Sequence, residues 1–319
     1  STAPTSFVDA LFTATSAACV TGLIVVDTGS HWTLFGQIVI LLLIQFGGLG
    51  IMTFTSFIIF VVARRLSLWD RNIMENSFGG EKSQPLGHLL LAIFGLTLIF
   101  ELIGAAILTI RFSVDYEIMH AFYLGLFHAV SAFCNAGFSL FADNMVGYQS
   151  DMWVNLTIAM LIVLGGLGFW VLFDLKNLLK HKRNLHSTTL HTRLVIYVST
   201  VLLLVGFIVF MVIEWNRAFQ NMSLPTKFMT ALFHSVSART AGFNSIDIAA
   251  FSNGSIFLFL ILMVIGASPG SCGGGIKTST FAILLAMTYS RIKNQKQVRL
   301  SNRGIPEGTV SKAIAITAS

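Results

Sequence analysis

Three short turns in this sequence have the composition of a cation site built from backbone carbonyl groups. They are Val20-Thr21-Gly22, Asn135-Ala136-Gly137 and Thr240-Ala241-Gly242. Glycine adopts backbone angles that are closed to other residues, so successive carbonyl groups can turn towards one side. Rings of such carbonyls replace the hydration shell of a potassium ion. None of the turns contains a carboxylate, which argues against a calcium-type ring of side chains.

Each turn closes a signature that occurs three times. Every copy has Leu-Phe, then Ser-Ala, then the turn glycine. The pattern predicts a half-length amphipathic helix within 1–23, starting near Phe7, and others at about 119–133 and 226–239. A single glycine of this kind is more often a close helix–helix contact. Three copies with matching flanks favour a pore loop instead. The copies are Leu11-Phe12, Ser16-Ala17, Gly22; Leu126-Phe127, Ser131-Ala132, Gly137; and Leu232-Phe233, Ser237-Ala238, Gly242.

The composition predicts a membrane protein. The chain is 55% hydrophobic and 11% charged, a balance outside the range of a soluble domain of 319 residues. A helical span needs about 20 mostly apolar residues. No signal-peptide pattern is evident. The candidate spans are 33–63, 88–110, 152–173, 194–213 and 254–290, of which the first and last are long enough to tilt or to break at their glycines.

The order of these segments predicts the fold class. We expect an all-α integral membrane protein made of repeated span–pore helix–filter turn–span units, arranged in parallel around a pore axis. The chain is expected to be a piece of a longer protein, because its outermost units are incomplete. The predicted units are 1–79, which lacks its first span; 80–187; 188–302, which contains an intramembrane loop at 266–278; and 303–319, the start of a truncated fourth unit.

The charged residues divide by side of the membrane. Most of the 20 lysines and arginines lie in 64–82, 176–193 and 291–312, which the positive-inside rule assigns to the cytoplasm. The turns then open outwards under an acidic vestibule that concentrates cations. A nucleic-acid partner is not expected, because the flanking spans explain the basic segments. The acids near the turns are Asp9, Asp27, Asp115, Glu117, Asp143, Asp151, Glu214 and Asp247.

The last candidate span is interrupted by a stretch that cannot form a regular helix. Glycine costs a helix about 1 kcal/mol relative to alanine, and proline costs about 3 kcal/mol. We predict a flexible loop that lies just below the glycine turns as a gate, with Lys277 repelling cations. A kinked packing helix is the alternative. The residues are Gly266, Ala267, Ser268, Pro269, Gly270, Ser271, Cys272, Gly273, Gly274, Gly275, Ile276, Lys277 and Thr278.

Two motifs that would indicate enzymatic chemistry are incomplete. The glycine-rich stretch resembles a phosphate-binding loop, but Ile276 separates its last glycine from the lysine and no β-strand precedes it. His128 with Ser131, and His234 with Ser237, lie three residues apart on one helix without an acid to orient them. We therefore predict no enzymatic activity and expect these side chains to form structural hydrogen bonds.

Glu101 and the cysteines are the remaining candidates for chemistry. Glu101 lies well inside a span, where ionisable residues are costly and often functional. We expect it to orient a neighbouring pore helix or to pair with Arg239, in preference to a direct role in the ion path. Cys19, Cys134 and Cys272 lack metal-ligand spacing and are interpreted as small packing residues.

The glycine turns and the loop Gly266–Thr278 resemble those of the bacterial potassium transporters of the Trk/Ktr/HKT superfamily, most closely its Ktr-type membrane subunits. The resemblance covers essentially the whole chain. It implies four repeats around one potassium pathway, with Gly22, Gly137 and Gly242 in the selectivity filter and the loop as the gate. Relative to that pattern, the first span of the first repeat and the fourth filter strand are absent from the sequence.

The same resemblance implies ions and partners. Potassium is the transported ion, and sodium often stimulates transport in similar proteins. The implied assembly is a homodimer in the bacterial plasma membrane that sits on a cytosolic ring of nucleotide-binding regulatory subunits. No nucleotide is expected on this chain itself.

Two other classes of function stay open. The first is an ion-coupled secondary potassium/sodium cotransporter, although transporters of that kind commonly show inverted repeats and paired broken helices, and the repeats here are parallel. The second is a structural or receptor protein that conducts no ions, which the triplicated turn disfavours.

Overall fold

The computed structural model describes residues 5–65, 86–181, 188–295, 297–300 and 303–318. The regular secondary structure of the described part is helical, apart from one antiparallel pair of two-residue strands, β1 (Arg299–Leu300) and β2 (Arg303–Gly304). The predicted helical architecture is confirmed. The helices are α1 (Phe7–Ala18), α2 (Thr28–His31), α3 (Leu34–Arg65), α4 (Leu86–Phe112), α5 (Ile118–Phe133), α6 (Met152–Leu167), α7 (Phe169–His181), α8 (Leu190–Glu214), α9 (Leu224–Ser237), α10 (Asn253–Val264), α11 (Thr278–Ile292) and α12 (Glu307–Ala318).

A short helix, a glycine turn and a longer helical segment follow one another at each copy of the signature. The short helices are α1, α5 and α9, at the places predicted from the signature. Serine hydroxyls fix two of their starts: Ser6 accepts a hydrogen bond from the amide of Asp9, and Ser223 accepts one from the amide of Thr226. Such caps stabilise a helix by about 1 kcal/mol.

The long helices present apolar faces to the outside. Among the described residues, Leu91–Phe112 of α4 and Leu190–Glu214 of α8 are each long and apolar enough to cross a membrane. The bent pair α6–α7 is a third candidate when it is counted as one span. Leucine, isoleucine and valine side chains stay exposed along α4 and α8, as expected for surfaces that face lipid.

The predicted span 152–173 is not one helix, which corrects the sequence interpretation. The chain breaks at Gly168, where φ is +84°, and α6 and α7 meet at 103°. Glycine adopts such an angle at no steric cost. For the predicted span 33–63, with tilt or a break as its alternatives, the structure excludes the break, because α3 runs unbroken from Leu34 to Arg65. The last span is interrupted as predicted, between Val264 and Thr278.

The core is built around α5. Phe127, His128 and Phe133 of this helix are fully or almost fully buried. Phe127 joins a cluster with Ile44 of α3, and Phe133 joins a cluster with residues of α4, α6 and α9. The second glycine turn therefore follows the most enclosed short helix. The predicted unit boundaries at 79, 187 and 302 lie outside the described residues, so the division into units stays a prediction.

Candidate cation site

The three glycine turns share one backbone geometry. In each of them φ is positive both at the first residue and at the glycine two positions later. A positive φ is uncommon for residues other than glycine, so its recurrence at three matching positions sets these turns apart. The values are +55° and +79° at Val20 and Gly22, +57° and +71° at Asn135 and Gly137, and +66° and +79° at Thr240 and Gly242.

Backbone hydrogen bonds end the first two short helices at their turns. The amide of the first turn residue and that of the second donate back to carbonyl groups in the last turn of the helix, which is a Schellman-type end. The carboxyl end of the helix, with its partial negative charge, therefore lies at the turn. The pairs are Val20–Ala17 (3.1 Å), Thr21–Ser16 (2.8 Å), Asn135–Ala132 (3.1 Å) and Ala136–Ser131 (2.8 Å).

The signature serines tie the helix end to the far side of the turn. The hydroxyl of Ser131 donates to the carbonyl oxygen of Phe138 at 2.7 Å, and the hydroxyl of Ser237 donates to the carbonyl oxygen of Phe243. Each acceptor directly follows a turn glycine. Hydrogen bonds were predicted for these serines but this clamp was not, although their nearly constant distance from the glycine, six residues at Ser131 and five at Ser237, was the available signal.

The histidines of the signature make contacts of their own. Nδ1 of His128 lies 2.8 Å from the carbonyl oxygen of Leu124, and its Nε2 lies 3.0 Å from Oγ of Ser139. Nδ1 of His234 lies 2.9 Å from the carbonyl oxygen of Thr230. These contacts hold the short helices and the segment after the second turn, in the structural role predicted for the histidines.

The turns lie directly against one another. A Cβ atom added to Gly22 would lie 2.3 Å from the carbonyl oxygen of Ala136. A Cβ atom added to Gly137 would lie 2.7 Å from the carbonyl oxygen of Ala241 and 2.9 Å from Cα of Gly242. The structure thus brings the first turn against the second and the second against the third, at distances that only glycine allows.

The glycine-rich loop is a hairpin whose two arms are hydrogen-bonded. The amide of Gly266 donates to the carbonyl of Ile276, and the amide of Ala267 donates to the carbonyl of Gly274, both at 3.1 Å. Residues 268–273 form the tip between these arms. Ser268, Ser271 and Cys272 in the tip are almost fully buried, so this irregular backbone lies inside the protein.

The tip of the loop contacts the glycine turns. A Cβ atom added to Gly273 would lie 2.9 Å from Oγ1 of Thr240 and 3.2 Å from the side-chain amide of Asn135. Thr240 and Asn135 are the first residues of the third and second turns, on the helix side of their glycines. The tip of the loop therefore lies next to the second and third turns, at the ends of their short helices.

Two cationic side chains contact carbonyl groups of the loop. Nζ of Lys277 donates to the carbonyl oxygen of Gly273 at 2.7 Å, and the guanidinium of Arg239 lies 3.4 Å from the carbonyl oxygen of Gly266. Arg239 directly precedes the third turn and is only 8% exposed. This contact of Arg239 with the loop was not predicted, although the third signature stands out by having one residue fewer before its turn.

Glu101 does not form the predicted pair with Arg239. Its Oε2 accepts a hydrogen bond from Nε2 of Gln45 at 3.2 Å, and its Oε1 lies 4.0 Å from Sγ of Cys134. Arg239 contacts Gly266 instead. The other expectation, orientation of a pore helix, agrees with these contacts because Cys134 caps the end of α5. Within the described residues, Cys19, Cys134 and Cys272 form no disulfide bond.

The acids of the predicted vestibule are not all free. Glu214 is fully buried and accepts hydrogen bonds from the hydroxyls of Ser252 and Ser255 at the start of α10. Arg111 forms ion pairs with Asp115 and Asp151 in a cleft of about 530 Å³. The prediction of an acidic vestibule therefore needs correction, because structural contacts occupy the carboxylates of Asp115, Asp151 and Glu214.

Comparisons with known proteins show the family of this chain. The sequence model of the family described as "TrkH: Cation transport protein" matches residues 1–317. The Ktr system potassium uptake protein B of Vibrio alginolyticus is 40% identical over 314 residues, which are 98% of this chain and 68% of that protein. The protein of the same name from Bacillus subtilis is 38% identical over 319 residues, 99% of this chain and 71% of the relative.

Two further matches widen this comparison. The potassium/sodium uptake protein NtpJ of Enterococcus hirae is 34% identical over 313 residues, 98% of this chain and 68% of that protein. The crystal structure of the potassium transporter TrkH from Vibrio parahaemolyticus superposes with a TM-score of 0.75 at 21% identity, which shows a shared fold. The match covers 98% of this chain and 63% of that structure. The chain therefore belongs to the TrkH family of cation transport proteins, which are multi-pass proteins of the bacterial cell membrane.

Proposed function

We propose that this chain forms a channel-like path for potassium uptake, with the glycine turns as its selectivity filter. The observation that carries the proposal is the contact between three turns of matching geometry, each at the end of a short helix. Carbonyl groups that leave a helix need polar partners at membrane depth, and a cation in an aqueous path supplies them. The residues of the filter are Val20, Thr21, Gly22, Asn135, Ala136, Gly137, Thr240, Ala241 and Gly242.

Potassium is the cation that this chemistry favours. Carbonyl groups and the carboxyl ends of helices offer partial negative charge without a carboxylate. The names of the Vibrio, Bacillus and Enterococcus relatives all include potassium uptake, which supports the same ion. In this proposal the repeated units surround the path in parallel.

The loop 266–278 is proposed as the gate of this path. Its tip lies against Asn135 and Thr240, so an ion that leaves the filter meets the loop next. Lys277 places an ammonium group on the carbonyl of Gly273, at the point where a cation would otherwise find an acceptor. Both the backbone and this charge then oppose passage when the loop is in the observed position.

A second candidate function is ion-coupled transport of potassium with sodium. The observation that favours it is the name of the Enterococcus relative, a potassium/sodium uptake protein. Potassium flux into liposomes that contain the purified full-length protein separates the two functions. A channel-like path is expected to carry potassium without sodium and without saturation at low millimolar concentrations. Strict dependence on sodium, with a fixed ratio of the two ions, would contradict the channel-like path.

We also propose that the cytoplasmic side binds a regulatory subunit. The relatives are named as components of a Ktr system, which supports a partner, and a nucleotide-binding ring beneath a homodimer is the form we propose. The basic segments 176–193 and 291–303 are the proposed contact surface for an acidic or polar face. Part of each segment lies outside the described residues.

Charge reversal tests this surface. Replacement of five basic residues by glutamate is expected to abolish copurification with the regulatory subunit at physiological salt, because each reversed charge turns an attraction into a repulsion. Replacement of Arg111 and Arg217, on the opposite side, serves as the control. Copurification that survives the fivefold reversal would show that the contact lies elsewhere. The five residues are Lys180, Lys182, Arg183, Arg299 and Arg303.

A further inference from the structure

The break between α6 and α7 leaves backbone groups without helical partners. A helix that ends loses the partners of its last carbonyl groups, and a helix that begins loses the partners of its first amides. Here both occur at one point, because α6 ends at Leu167 and α7 begins at Phe169. Inside a membrane such groups cost several kcal/mol each unless another part of the protein satisfies them.

The glycine-rich loop supplies partners for this break. The amide of Ser268 donates to the carbonyl of Gly166 at 3.0 Å, and the amide of Cys272 donates to the carbonyl of Gly165 at 3.3 Å. In the opposite direction, the amide of Phe169 donates to the carbonyl of Gly270 at 3.0 Å. Segments that lie about a hundred residues apart in the sequence therefore exchange main-chain hydrogen bonds.

Ser268 also contacts this break through its side chain. Its hydroxyl lies 3.2 Å from the carbonyl oxygen of Gly166 and also contacts that of Leu167. The side chain is fully buried. A Cβ atom added to Gly168 would lie 2.6 Å from the carbonyl oxygen of Pro269 and 2.8 Å from Oγ of Ser268. The break and the tip of the loop thus fit closely.

We propose that the break Gly165–Phe169 is the seat that holds the gate closed, and that Ser268 is the residue that positions the loop on it. This inference rests on the proposed gate and specifies how the gate is held. When the loop leaves, water and ions must satisfy the carbonyls of Gly165, Gly166 and Leu167. Because α7 leads directly into the basic segment 176–193, a movement of α7 about Gly168 would pull the seat away from the loop.

The test compares two serines of the same loop. Ser268→Ala removes the contact with the seat, whereas Ser271→Ala removes a bond within the loop, from its hydroxyl to the carbonyl of Ser268. The assay measures potassium flux in liposomes that contain the full-length protein without a regulatory subunit. Ser268→Ala is expected to raise this flux about fivefold, because the variant loses one ordinary hydrogen bond in the closed state and none in the open state. Ser271→Ala is expected to raise flux less than Ser268→Ala does, because the bond that it loses lies within the loop and not on the seat. The potassium-to-sodium ratio should not change in either variant.

A second variant approaches the seat from the other side. Gly168→Ala places a methyl group against Pro269 and is expected to raise flux in the same way, while Gly50→Ala is the control because a Cβ atom there meets open space. Flux at or below the wild-type level in both Ser268→Ala and Gly168→Ala, at equal protein levels, overturns the seat. If deletion of the tip 268–273 still raises flux in that case, the gate stands and only its seat is wrong. If the deletion also leaves flux unchanged, the gate itself is wrong.

Discussion

Replacement of Gly137 by serine is expected to reduce the preference for potassium over sodium about tenfold, which corresponds to a loss of 1.4 kcal/mol in discrimination. The φ of +71° at Gly137 suits glycine and strains any other residue. The new Cβ would also lie 2.7 Å from the carbonyl oxygen of Ala241, so the third turn must move. The second and third turns then no longer hold their carbonyl groups at the spacing that suits potassium.

The measurement is the ratio of potassium to sodium flux at equal protein levels. Gly95→Ser is the matched control, since Gly95 lies in α4 and a Cβ atom there has nothing within 4 Å. Gly242→Ser is expected to lose less selectivity than Gly137→Ser, because its nearest neighbour would be 3.1 Å away. An unchanged ratio in Gly137→Ser would contradict the assignment of the turns to a filter.

The short helices and their turns could be predicted because the signals for them are local. The signature places Leu-Phe, Ser-Ala and glycine at nearly fixed distances, and α1, α5 and α9 lie where those distances put them. The interruption of the last span was also a local signal, since glycines and Pro269 are too frequent there for a helix. Both features follow from backbone preferences that need no tertiary partner.

The bend at Gly168 shows where local signals fail. The same tetrapeptide, Gly-Gly-Leu-Gly, occurs at 47–50 and at 165–168. The helix α3 continues through Gly50, where a Cβ atom would meet open space, but the chain breaks at Gly168, which lies against Pro269 of the loop. The different behaviour of the two tetrapeptides is therefore caused by their tertiary contacts. At Gly168 the loop forms hydrogen bonds with the backbone groups that the break frees, and these bonds offset the cost of breaking the helix.

Arg239 is a second feature that required the structure. The missing residue and the arginine before the third turn are visible in the sequence, and its position inside the membrane suggested a carboxylate partner such as Glu101. The observed partner is the carbonyl of Gly266, a backbone group that no side-chain pattern identifies. Glu101 is instead matched by the amide of Gln45 from α3.

Deletion of Ser268–Gly273 is expected to raise basal potassium flux at least about tenfold, the change that 1.4 kcal/mol of barrier produces. The deletion removes the tip that lies against the filter and all of its hydrogen bonds to the α6–α7 break. The arms on either side are hydrogen-bonded between Ala267 and Gly274, so the shortened chain can close across an existing contact. Dependence of the flux on the regulatory subunit should fall at the same time.

Lys277→Ala should act in the same direction but more weakly, because it removes the ammonium group from the carbonyl of Gly273 and leaves the backbone obstruction in place. Flux through both variants is measured without and with the regulatory subunit, and an unchanged potassium-to-sodium ratio serves as the control for an intact filter. If the loop is only a kink in a packing helix, the deletion variant should show lower expression and lower flux. A well-expressed deletion variant with wild-type flux and intact regulation would show that the loop is not the gate, since a path that is already clear gains nothing from removal of its tip.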